Sequence, residues 1–236
     1  MEKEILIVTN ISHEGPGLLE EILKEQGIGH TLIDLNQGEK FPAVEGYKAV
    51  VVLGGPDSAN DDNEKMRNEL SRIREVITAQ IPYLGICLGL QTLVKAAGGN
   101  VIKSPTKEVG FIDPEGNNFT VDLSKAGKQD PIFKGMEDSF NVFHLHGETV
   151  ELTIDMTLLG EGKFCRNQIV RVGSNAYGLQ CHFELTPEMF EEWINVDPDL
   201  LKLDKEELRY QFEAIKEAYT KVGRMLFRNF LEIAGF

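Results

Sequence analysis

The segment Tyr83-Leu84-Gly85-Ile86-Cys87-Leu88-Gly89-Leu90-Gln91 changes its period at its centre. Pro82 introduces Tyr83–Ile86, an apolar run of the kind found in a strand buried on both faces. Leu88–Ala97 carries helical spacing and stops at Gly98-Gly99. One cysteine stands at the junction, framed as G-x-C-x-G. A nucleophile on so sharp a strand-to-helix turn projects above the sheet edge. The turn is strained and needs small neighbours two residues away on each side, here Gly85 and Gly89. The helix that follows presents N–H groups and its positive dipole end to the sulfur, which stabilises negative charge there.

The same unit recurs on the N-terminal side. Ile5–Val8 reads as a buried strand, and Leu18–Gln26 as a helix after Gly15-Pro16-Gly17 and before Gly27. Thr31–Leu35 reads as a second strand. Ala49–Leu53 is a third, closed by Gly54-Gly55-Pro56, and Asp62–Thr78 a helix with Met66, Leu70, Ile73 and Ile77 on one face. Strands alternating with helices predict a three-layer α/β/α fold around a mainly parallel sheet.

The C-terminal side is less regular. Val101–Val121 has Gly, Pro and Asn at short intervals and reads as short strands and turns. Gln168–Val172 and Ala176–His182 flank Gly173-Ser174-Asn175, a hairpin pattern. Thr186 and Pro187 open a helix. A longer helix begins at Asp204, with Glu207 at capping-box spacing. Its stripe, Leu208, Phe212, Ile215, Tyr219, Val222, Leu226 and Phe230, is expected to pack on the sheet. With no repeat, low-complexity tract or linker, residues 1–236 are read as one domain with a C-terminal helical extension from about 187.

Composition narrows the function. Among 236 residues, 42% are hydrophobic and 26% charged, which excludes a disordered chain. The net charge of −14 repels phosphate backbones and anionic lipid, so neither nucleic acid nor membrane is expected as a partner. No apolar run reaches the roughly 18 residues of a membrane helix. The N-terminus MEKEILIVTN lacks the basic start of a signal peptide, so a cytoplasmic protein is expected. Cys87, Cys165 and Cys181, an odd count without CxxC spacing, fit neither a disulfide framework nor a structural zinc site.

A cysteine nucleophile needs a base, and the base an orienting group. His182 is read at the end of a strand, with Glu184 two residues on and pointing the same way on an extended backbone. One imidazole nitrogen can bind Glu184 while the other faces Cys87. Without Cys87 the pair would read as a surface pair on a sheet. His144-x-His146 invites a metal reading, but no fixed metal motif surrounds it, and no metal is assigned. Gly54-Gly55-Pro56 lets backbone N–H groups approach a ligand oxygen and, with the N–H of Leu88, can form a two-donor oxyanion hole.

Taken in order, Gly54-Gly55-Pro56, Gly85-Ile86-Cys87-Leu88-Gly89-Leu90-Gln91 and Gly178-Leu179-Gln180-Cys181-His182-Phe183-Glu184 resemble the class I glutamine amidotransferases, the triad type with a Cys-His-Glu site. The resemblance runs from about Ile5 to Pro187 and implies their flavodoxin-like fold. It implies hydrolysis of glutamine to glutamate with ammonia passed to an acceptor, and no cofactor. Residue by residue, it makes Cys87 the nucleophile, His182 the acid and base, and Glu184 its orienter. Gly55 and Leu88 hold the oxyanion and Gln91 helps bind substrate. Lys107-Glu108-Val109-Gly110 resembles a segment lining the substrate pocket, and His144-Leu145-His146-Gly147-Glu148 the H-x-H-G-D segment of a stand-alone subgroup similar to the glutaminase part of GMP synthase. Gly110 and His146 are thereby implied as substrate-binding residues. Glu148 replaces the usual Asp. Phe183 replaces the proline of the usual Gln-Phe-His-Pro-Glu, which frees the backbone that sets the Glu184 angle.

No synthetase domain is read after the long helix, so a separate synthetase subunit is the expected consumer of the ammonia. Two rival readings keep the same fold: a free-standing γ-glutamyl hydrolase using the same three residues, and a non-catalytic binding or regulatory module. Loss of Cys87, His182 or Glu184 would favour the module, and all three are present. Related cysteine-elbow chaperones and proteases are not expected to carry the paired His182-x-Glu184.

Overall fold

The computed structural model describes residues 3–236. Strands and helices alternate through β1 (Lys3–Thr9), α1 (Leu18–Gln26), β2 (His30–Asp34), β3 (Tyr47–Val52), α2 (Glu64–Thr78), β4 (Tyr83–Ile86) and α3 (Leu88–Ala96). Seven strands come next: β5 (Asn100–Gly110), β6 (Thr120–Leu123), β7 (Ser139–Asn141), β8 (His144–Glu151), β9 (Met156–Glu161), β10 (Asn167–Val172) and β11 (Ala176–Leu179). Helices α4 (Pro187–Val196) and α5 (Lys205–Ile233) follow.

Nine strands form one sheet in the order β2-β1-β3-β4-β11-β10-β9-β6-β7. The first five are parallel, and from β11 onward neighbours are antiparallel. The parallel strands explain the unbroken apolar runs. Ile5 and Ile7 of β1 join Ala49 and Val51 of β3 in a core beneath α1 and α5. Leu6, Val8, Val50 and Val52 face the opposite way, into a second core beneath α2 and α3. Successive side chains of one strand thus serve two layers. β1 leads to β2 on one side and, later, to β3 on the other, so the strand order reverses between β1 and β3. Open α/β sheets bind ligands in the crevice at such a point, outside the carboxyl ends of the strands. The segments after β1, β3 and β4, which carry Glu14, Gly55 and Cys87, converge there.

A third core joins Phe111 and Phe143 to α4 and the first half of α5. Leu208, Phe212, Ile215 and Tyr219 lie in it, whereas Leu226 and Phe230 lie in the sheet core beside α1. The long helix therefore spans two cores with one stripe. Its start is fixed by Asp204 Oδ1, which accepts the N–H groups of Glu206 and Glu207 at 2.9 and 3.0 Å. Among the described residues no helix is long and apolar enough to cross a membrane.

β5 and β8 form a separate antiparallel ribbon. Of Val101–Val121, expected to be short strands and turns, the first half is one strand over Asn100–Gly110, with a register shift between Lys103 and Glu108, while a turn and the start of β6 follow as expected. Pro105 lies in the shift, where its missing N–H costs no ladder bond. Beyond the shift Glu108 pairs directly with His146. β11 also ends earlier than expected, at Leu179. His182 lies past it and is held by a single bridge to Phe143, donating its N–H to the Phe143 carbonyl at 2.9 Å.

Candidate active site

Cys87 is the N-cap of α3 and has φ 52° and ψ −103°, a conformation L-residues rarely adopt. Such strain costs on the order of 1–3 kcal/mol and persists only where the surroundings impose it. Here the Cys87 N–H donates to Leu179 O at 2.7 Å, and Cys87 O accepts from Leu90 and Gln91 at 3.1 and 3.2 Å. Both flanking glycines are sterically required. A Cβ on Gly85 would lie 2.2 Å from Gly89 O, and one on Gly89 2.2 Å from Val52 O. The Leu88 N–H belongs to the first turn of α3, where amides have no intrahelical acceptor.

His182 and Glu184 are buried, not a surface pair. His182 Nδ1 is 2.6 Å from Glu184 Oε1, so Nδ1 carries the proton it donates. Nε2 is buried without a hydrogen-bond partner. Burial by itself pulls the imidazole pKa down, but the Glu184 charge and the adjacent Cys87 raise it further, to a net value well above the ordinary range. The ring is clamped edge-on by Trp193 at 5.1 Å and Phe143 at 6.0 Å between centroids. Tyr219 of α5 donates its hydroxyl to His182 O at 3.0 Å. The C-terminal helices thus position this loop.

Gly54, the first glycine after β3, lies closest to these groups. A Cβ there would be 2.3 Å from Glu14 Oε2, 3.2 Å from His182 Cε1 and 3.5 Å from Cys87 Cβ. Gly55 backs onto Asn10 instead, and it lines a cavity of about 630 Å³ together with Glu14, Cys87, Gln91, His146 and Glu148. A smaller cavity of about 280 Å³ between β7 and α5 has no cysteine or histidine in its walls.

The sequence-derived binding residues divide. Gln91 borders the cavity, and its Nε2 donates to Gln180 Oε1 at 3.3 Å. Gln180 Nε2 in turn lies 3.7 Å from Cys87 Sγ. His146 borders the cavity too, but both its ring nitrogens are engaged, Nδ1 with Glu148 O at 3.0 Å and Nε2 with Glu108 Oε2 at 2.8 Å. Gly110 is not among the lining residues. It sits at φ 87° under α5, against Leu208 and Leu203. From its segment it is Lys107 that reaches the cavity.

Glu14 carries no motif of its own in the sequence, and Glu108 and Gln180 lie inside motif segments without a role assigned to either. Glu108 is buried, and its Oε2 also accepts from Gln168 Nε2 at 3.0 Å and lies 3.7 Å from His144 Nε2. Glu108, His144 and His146 bring three ligand-type atoms within 4.8 Å. Among the described residues this is the one cluster with metal-ligand spacing, and in it Glu108 is hydrogen-bonded to His146. His182 is outside this cluster and is turned to Glu184. Burial, followed by the His146 and His182 charges, holds the His144 pKa well below the ordinary imidazole range. Cys165 and Cys181 are buried away from the cavity, and burial pushes both thiols up.

Comparison with known proteins gives the family. The family model for class I glutamine amidotransferases matches residues 18–195. YfeJ of Salmonella typhimurium, named a glutamine amidotransferase-like protein, is 32% identical over 190 residues, 78% of this chain and 77% of that protein. A glutamine-hydrolyzing GMP synthase of Thermosipho africanus is 31% identical over 224 residues, 92% of this chain but 40% of that enzyme. The crystal structure of a glutamine amidotransferase from Thermotoga maritima superposes over 100% of both chains with TM-score 0.87 and 29% identity.

Proposed function

Because the chain belongs to the class I glutamine amidotransferase family, we propose that it hydrolyses the side-chain amide of glutamine through a γ-glutamyl thioester on Cys87. The supporting observation is the His182 ring, tied to Glu184 through Nδ1 and free at Nε2 beside a strained Cys87. Cys87 Sγ attacks the amide carbon, and the developing oxyanion is held by the N–H groups of Gly55 and Leu88. Each such donor is worth about 3 kcal/mol. His182 Nε2 passes the thiol proton to the departing nitrogen, and the C–N bond breaks. Water, deprotonated by the same nitrogen, then splits the thioester to glutamate and regenerates the thiol. Glu184 fixes the tautomer and stabilises the imidazolium. Gln91 and His146 form the γ-glutamyl side of the cavity.

The ammonia is proposed to pass to a separate synthetase subunit, a reading supported by the likeness to GMP synthases over part of their length. The whole chain is proposed to act as one domain, since α5 holds the His182 loop through Tyr219. The three free cysteines suit a reducing compartment, in keeping with a cytoplasmic location. A free-standing γ-glutamyl hydrolase is the second reading, favoured by a cavity of about 630 Å³, within the range of sites that take ligands of drug size. The test is glutamate release from glutamine by the purified chain, alone and with co-purified synthetase. Turnover that rises with the synthetase supports ammonia supply. Fast turnover indifferent to it supports the hydrolase.

A further inference from the structure

Glu14 is a buried carboxylate that this reaction leaves unused. It is 7% exposed and borders the Cys87 cavity, and its Oε2 has no hydrogen-bond partner. Oε2 and His182 Cε1 converge on the same space above Gly54. The leaving nitrogen must stand within reach of His182, which protonates it. The wall beside His182 is therefore the leaving-group wall, and Glu14 is in it. Gln91 and His146, proposed above for the γ-glutamyl side, border the same cavity.

Other acids line the cavity as well. Trp193 Nε1 donates to His13 O at 3.0 Å and ties the end of α4 to the Glu14 turn. This brings Asp197 and Asp199 to the cavity, with Asp57 from the segment after β3. Asp57 is paired with Lys65, and Asp199 with Lys107 and Lys202. Among the described residues no lysine or arginine pairs with Glu14 or Asp197. Burial pushes the Glu14 carboxyl up to about 7, the His182 charge opposing and the Glu184 and Asp197 charges reinforcing it. A cation beside Glu14 would compensate a carboxylate that the protein leaves bare.

Resting on the Cys87 thioester reading, we propose that the leaving-group side of the cavity binds a cationic amine, with Glu14 as its carboxylate partner. The substrate class is then γ-glutamyl amides of diamines. Glutamine, whose leaving group is ammonia, occupies only the inner part of the site. Glu14 takes no covalent part. The amide C–N bond breaks as Sγ–C forms, the nitrogen takes its proton from His182, and the amine leaves with its distal ammonium against Glu14 and Asp197.

The test compares kcat/KM of the purified full chain for glutamine and three γ-glutamyl amides of equal leaving-group length: of 1,4-diaminobutane, of butylamine and of 4-aminobutyrate. The diamine amide is expected to exceed the butylamide by about tenfold, roughly 1.4 kcal/mol. The 4-aminobutyrate amide should be the poorest, and added salt should narrow the spread. Glu14→Gln should collapse the diamine-to-butylamide ratio toward one. A wild-type ratio near one overturns the proposal even if the variant does not fold. A ratio unchanged in folded Glu14→Gln overturns the role of Glu14. Release of glutamate from none of the four, glutamine included, overturns the thioester reading and this site with it.

Discussion

Glu184 holds His182 with one oxygen and its own backbone neighbour with the other: Oε1 is 2.6 Å from His182 Nδ1, and Oε2 accepts the Phe183 N–H at 2.9 Å. A proline at position 183 has no N–H to give. The residue that departs from the usual family segment therefore restrains the carboxylate through a bond of its own. Its side chain is fully buried, with its ring 5.6 Å from that of Phe140. The backbone expected to be freed at this point is pinned instead.

Glu184→Gln tests this arrangement. An amide has one acceptor oxygen and cannot serve both donors. Turnover of glutamine should fall, with about 10²–10⁴-fold as the ceiling for lost acid–base catalysis. Because the pair is buried, stability should also fall, by about 1–3 kcal/mol. Steady-state kinetics and urea denaturation measure the two effects, and normal turnover in a folded variant removes Glu184 from the mechanism.

The three cysteines should differ in reactivity. All are buried, but only Cys87 borders the cavity, and burial raises the thiol pKa of Cys165 and Cys181. A glutamine-like chloroketone should label Cys87 in native protein well before the other two, as read by peptide mass spectrometry. Equal labelling of all three contradicts the assignment.

Glu69 predicts a pH-dependent stability. It is fully buried on α2, with Oε1 accepting from Asn10 at 3.4 Å and Oε2 unpartnered. Burial raises its pKa to about 7, against smaller opposing effects of Asn10, Lys65 and Thr92. A carboxyl with a raised folded pKa stabilises the fold below its unfolded pKa, and that contribution is lost as pH rises through 7. Glu69→Gln should therefore change little near pH 4.5 and stabilise by up to about 3 kcal/mol at pH 8. Glu14, raised to about 7 by the same cause, keeps some pH dependence in the variant. Urea midpoints at the two pH values decide it; an equal shift at both shows that Glu69 is not protonated in the fold.

Much of this molecule is written locally. Ile5–Val8 and Ala49–Leu53 are continuously apolar because alternate residues serve opposite layers, and Gly85 and Gly89 mark the elbow because no Cβ fits there. What stayed hidden depends on distant partners. Nothing near Glu14 in sequence announces that it meets His182 above Gly54, nor anything near Glu108 that it faces His146 across a shifted ribbon. Gly110 shows the converse: its segment was legible, but its left-handed turn places it under α5, and Lys107 reaches the cavity instead.

The proposed reaction turns on a covalent intermediate at Cys87. Purified chain should be mixed with glutamine, quenched in acid during steady turnover, and digested for mass spectrometry. The predicted result is a γ-glutamyl group on the Cys87 peptide that disappears once glutamine is exhausted and is absent in Cys87→Ser. Sustained glutamate release with no adduct on Cys87 at any quench time, or undiminished release by Cys87→Ser, contradicts it.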